Sequence, residues 1–113
     1  MSPLPVETTV MSTRPLEKTL AAPERLDLES RTAFRRAAGE LLDALEQGAG
    51  RLVIDLSGTR GVDSAGLGAL MLIQRKASER RQAVVLKRPN DELRFLLVLT
   101  KLDDLFEVET DPD

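Results

Sequence analysis

Two short apolar runs constrain this chain more than any other feature. Arg51-Leu52-Val53-Ile54-Asp55-Leu56 stands between Gly50 and Ser57-Gly58, and Ala83-Val84-Val85-Leu86 is closed by Arg88-Pro89-Asn90. Each is too short for a helix, and its β-branched content suits an interior strand. Segments of helical period flank them. Ser30 precedes Phe34, Ala38, Leu41, Leu42 and Leu45 at helical spacing, with Gly48 as the stop. A second helix is expected from about Asp63 or Ser64 to Arg80, and a third, capped by Asn90 or Asp91, carries Leu93, Leu96 and Leu97. Weaker alternation predicts short strands in 16–21 and 25–28 and an edge strand over 106–109. Strands alternating with helices at these lengths make one small α/β layer with right-handed crossovers. Residues 1–13, with Pro3 and Pro5 and no period, read as a flexible tail, leaving 14–113 as the domain.

The residue types narrow the chemistry. The chain lacks Cys, His, Tyr and Trp. This removes disulfides, thiol catalysis, thiolate or imidazole metal sites and the usual base near neutral pH, so no enzyme, metal or cofactor is expected. Phe34, Phe95 and Phe106 offer no stacking platform for single-stranded nucleic acid. Sixteen basic against nineteen acidic side chains give a net charge of −3, which argues against a nucleic-acid partner. No apolar run approaches the ~20 residues of a membrane span, and the N-terminus has no cationic segment followed by an apolar one, so a cytoplasmic protein without membrane insertion is expected. Six basic residues between Met71 and Asn90, and six acids after Lys101, read as solvated faces.

The segment Gly61-Val62-Asp63-Ser64-Ala65-Gly66-Leu67-Gly68 follows an interior strand and opens a helix, where α/β sheets place function. Asp63 or Ser64 can cap that helix, while Gly66 and Gly68 each cost ~1 kcal/mol of helix propensity and leave the backbone approachable. An ordinary capped helix whose glycines fit a neighbour is one reading. A nucleophile elbow fails, because Val62 holds the first glycine position and no His exists. A phosphate-binding loop fails, because no Lys follows the glycines in register. A third reading makes Ser64 a phosphate acceptor, its phosphoryl group stabilised by helix N-terminal amides by roughly 0.3–2 kcal/mol. Along the helix, Gly66, Leu70, Ile73 and Ala77 share the side expected to face the sheet. Gly68, Met71, Leu72, Arg75 and Glu79 share the other, where Met71 and Leu72 suit either a partner surface or a further helix of the domain.

The runs 52–58 and 83–86, the Asp63-Ser64-Ala65-Gly66-Leu67-Gly68 signature and Leu102-Asp103-Asp104-Leu105-Phe106 resemble the STAS domain of bacterial anti-sigma factor antagonists. The resemblance implies a mixed sheet of four or five strands backed by about four helices. It also implies a partner surface around the second helix and reversible phosphorylation of the first hydroxyl after the motif Asp, here Ser64. On that basis Asp63, Ser64, Gly66, Gly68, Met71, Leu72 and Arg75 are expected to meet the partner, with Asp55 and Ser57 supporting the loop. The implied partner is an anti-sigma factor with serine kinase activity, and a separate phosphatase would reverse the mark. The alternative is a constitutive STAS subunit of a lipid-transport ABC complex or of a stress-signalling assembly. Ala65 stands where relatives often have a second serine, and Glu24 where a glycine often precedes Leu26-Asp27.

Overall fold

The computed structural model describes residues 14–110; the expected tail, residues 1–13, lies outside them. Among the described residues six strands and three helices follow in order: β1 (Glu17–Ala21), β2 (Arg25–Leu26), α1 (Arg31–Ala44), β3 (Arg51–Asp55), β4 (Gly61–Val62), α2 (Ser64–Glu79), β5 (Ala83–Lys87), α3 (Asp91–Leu99) and β6 (Glu107–Glu109). A single 3-10 turn, Leu102–Asp104, stands between α3 and β6, and the described residues hold three helices where the resemblance implied about four. The main sheet runs β1-β3-β5-β6, and β2 pairs with β4 beside it. The α/β class holds, but the expected mixed pairing is not found among the described residues. Every ladder is parallel, because each successive strand of the main sheet is reached by a crossover that carries a helix.

The two apolar runs are the central strands. Leu52, Ile54 and Leu56 of β3 and its extension, with Val84 and Leu86 of β5, face the helices and join Phe34, Leu42, Leu70 and Ile73 in one buried cluster. Each such aliphatic contributes about 1.5–3 kcal/mol through burial. Val53 and Val85, cross-strand neighbours on the opposite face, are buried as well, which is why the runs carry no polar alternation. On that face Arg51 reaches across the sheet to Glu17 (3.3 Å), Glu107 (3.2 Å) and Glu109 (3.7 Å), tying both edge strands to the centre.

One helix end differs from expectation, and another lacks a side-chain cap. Helix α1 stops at Ala44, ahead of Gly48, since Leu45 turns extended and is fully buried. The buried Gln82 amide donates to the carbonyls of Leu42 (2.9 Å), Leu45 (3.2 Å) and Glu46 (3.3 Å), doing the work expected of a glycine cap. Ser30 occupies the N-cap position of α1 without capping it. Its hydroxyl donates to the Arg25 carbonyl (2.7 Å), leaving the first turn with no side-chain cap and no acid.

Candidate functional site

Strands β2 and β4 are only two residues each, yet they set the start of α2. Arg25 pairs with Gly61 and Leu26 with Val62. The Asp63 amide donates to the Leu26 carbonyl (3.2 Å), so the chain enters α2 directly from the ladder. Asp63 then caps the helix: Oδ1 accepts from the Gly66 amide (2.9 Å) and Oδ2 from the Leu28 amide (3.4 Å). With both oxygens committed to the backbone, the carboxylate shapes the turn. Gly66 is required for the approach, because a Cβ there would stand 2.1 Å from the Leu26 carbonyl oxygen. At Gly68 a Cβ would meet nothing within 4 Å.

Ser64, the first residue of α2, is exposed. Beyond it the helix buries Gly66, Ala69, Leu70, Ile73 and Ala77 and leaves Met71 and Leu72 47% and 44% exposed, so no helix of the described domain covers them. Helix α1 packs alongside, and a groove of about 500 Å3 opens between the two. Ser64, Gly68, Met71 and Leu72 line it from α2, with Arg31 and Arg35 opposite on α1. The expected partner residues therefore divide. Ser64, Gly68, Met71 and Leu72 meet in the groove, Asp63 and Gly66 support it from below, and Arg75 is exposed elsewhere on α2.

Asp55 and Ser57 do not bond to the 63–68 turn. The Asp55 carboxylate accepts from the Ser57 amide (2.9 Å) in the turn after β3. That bond and one from the Ser57 hydroxyl hold Asp55 below the ordinary carboxylate range; desolvation opposes them, and Lys87 and Arg88 add attraction. The loop leading to β4 is held instead by Thr59, which is buried and donates to the Pro23 carbonyl (2.8 Å), and by Asn90. The Asn90 amide reaches the Thr59 and Arg60 carbonyls (3.4 Å each) while its oxygen caps α3 at Leu93 (2.8 Å). Sequence reading missed Thr59, Arg31 and Arg35. For the arginines the one available signal was their four-residue spacing, which puts both on one side of α1.

Among the described residues no group of three or more acidic, His or Cys side chains could hold a metal, and no helix is long and apolar enough to cross a membrane. The site offers an accessible hydroxyl, an apolar floor and a basic wall, a combination fit for docking. Comparison with solved structures agrees in fold. TM1081 of Thermotoga maritima, described as a candidate anti-sigma factor antagonist, superposes with a TM-score of 0.70 at 23% identity, covering 82% of this chain and 80% of its own. A sulfate transporter family protein from Wolinella succinogenes gives 0.67 at 16% identity, covering 96% and 87%. The anti-sigma factor antagonist SpoIIAA, in its unphosphorylated form, gives 0.65 at 13% identity, covering 90% and 86%. Residues 11–107 match the family described as "Mlab, STAS domain", and the chain belongs to the STAS domain family.

Proposed function

We propose that this chain is a phospho-switched docking module of the anti-sigma factor antagonist kind, acting in the cytoplasm without catalysis of its own. Unmodified, its α1–α2 groove binds an anti-sigma factor with serine kinase activity and so releases the sigma factor. The kinase then transfers the γ-phosphoryl group of ATP to Ser64. An Oγ–P bond forms, the bond from the γ-phosphorus to the bridging oxygen breaks, ADP leaves, and the hydroxyl proton passes to the kinase. A separate phosphatase restores the hydroxyl. The observation that carries this reading is the placement of an exposed Ser64 in the same groove as Met71 and Leu72. A contact over that floor must close over Ser64, and a new charge there of about −1.5 to −2 has to be desolvated or moved aside. A penalty of ~3 kcal/mol lowers affinity on the order of a hundredfold.

The test is capture from the native host with tagged wild-type and Ser64→Asp chains, the retained protein being identified by mass spectrometry. Retention of an anti-sigma kinase by the wild type alone supports the switch; equal retention by both overturns it. A second reading, a constitutive subunit of a transport or stress-signalling assembly, draws support from the likeness to a sulfate transporter family protein. It expects Ser64→Asp to bind as the wild type does and the captured protein to be a component of that assembly.

A further inference from the structure

The basic wall of the groove decides what a charge on Ser64 would meet. Asp63, the acid beside it in sequence, has both carboxylate oxygens on backbone amides of the turn. Arg31 and Arg35 stand about one turn apart on α1 and line the same groove as the hydroxyl. Neither guanidinium has an ion-pair partner among the described residues. The far end of the same helix pair is arranged oppositely: Lys76 (3.0 Å) and Arg80 (3.7 Å) of α2 both reach Asp43 of α1. Arg35 also borders the next depression along α1, which holds Glu40, Asp43 and Lys76. Positive charge at the mouth of the groove is therefore uncommitted. A phosphoserine presents three acceptor oxygens, which planar guanidinium forks match in pairs.

We infer that Arg31 and Arg35 are the phosphate-binding pair for a modified Ser64, so that modification bridges α1 to α2 across the groove. This rests on Ser64 being the modified residue and adds which groups answer the phosphate. It also sets a sign. Repulsion between the phosphate and Asp63 would loosen the first turn of α2, whereas capture by the arginines tightens the helix pair.

The full chain carrying phosphoserine at position 64, installed during translation, tests this without any partner. Phosphorus NMR should place the second phosphate ionisation below its ordinary value of about 6, with return toward that value in the Arg31→Gln, Arg35→Gln double variant. Phosphorylation should raise the thermal midpoint by roughly 2–5 °C in the otherwise natural chain and by clearly less in the double variant, where only the helix N-terminal amides still meet the phosphate. Both arginines are exposed, so the double variant is expected to fold, and circular dichroism of its bare form checks this. In the otherwise natural chain, phosphorylation should also shift the arginine Nε–H signals, a readout that needs no variant. Phosphate titrations that coincide in the two backgrounds, unmoved arginine signals, or a midpoint lowered by phosphorylation would overturn the inference. Equal capture by wild-type and Ser64→Asp chains would instead count against the switch and leave the phosphate chemistry standing.

Discussion

The outer faces of α2 and α3 both present large apolar side chains to solvent, and α3 presents more of them. Phe95, Val98 and Leu99 are 61–64% exposed, against 44–47% for Met71 and Leu72. If exposure alone marked a recognition site, α3 would rank first. The difference lies in what surrounds the apolar atoms. Helix α2 has α1 beside it, so its face is the floor of a groove whose rim holds a hydroxyl and two cations unpaired among the described residues. The depression beside α3, about 330 Å3, takes in Val98 but neither Phe95 nor Leu99, and Arg94 next to it is already paired with Asp91 (3.6 Å). Apolar area supplies adhesion on both faces; on the first, Ser64 and two arginines share one groove with Met71 and Leu72, whereas Asp103 and Thr110 beside α3 line a depression that leaves out Phe95 and Leu99.

The largest test of that contrast is Gly66→Val. The new side chain would drive into the Leu26 backbone, costing roughly 3 kcal/mol or more in urea denaturation. Phe95→Ser, at a more exposed position, should stay within about 0.5 kcal/mol. Next, Ser64→Asp should weaken partner capture on the order of a hundredfold, whereas Phe95→Asp should leave it within about twofold; comparable losses from both would erase the distinction. Asp63→Ala removes the α2 cap and the link to Leu28, for an expected loss of about 1–2 kcal/mol in stability. Gly68→Ala should do the reverse, raising stability by up to ~1 kcal/mol, because the added methyl meets open space in a helix. The smallest effect belongs to Asp55, which serves neither face. Its folded carboxyl lies below the ordinary range, so its contribution is complete above the unfolded value near 3.9 and is lost as pH falls through the folded value. Asp55→Asn should therefore make the acid limb of the stability profile shallower, as followed by circular dichroism.

Much of this was legible in the sequence. The apolar runs gave β3 and β5 because interior strands need no polar alternation, and the period of α2 separated Leu70 and Ile73 from Met71 and Leu72 correctly. Asp63, one of two candidate caps, is the one that forms. What stayed hidden depends on packing between distant segments. The ladder of β2 and β4 is too short to have a period. Gln82 caps a helix about forty residues earlier, which no local pattern announces. Arg31 and Arg35 look like any solvated pair on α1 until α2 is laid beside them. The outward stripe of α3 was missed because a nine-residue helix rich in Leu and Val shows no clear polar side from which to infer its buried one.

The contact of Gly66 with the Leu26 carbonyl leaves no slack between the opening turn of α2 and the strand beneath it. Tilting or sliding that helix to suit a visitor would tear the β2–β4 ladder, so the floor of the groove is cast before any encounter. Adaptation on this face then falls to exposed side chains such as Met71, Leu72, Arg31 and Arg35. Most of the conformational entropy surrendered on association then falls to the other molecule.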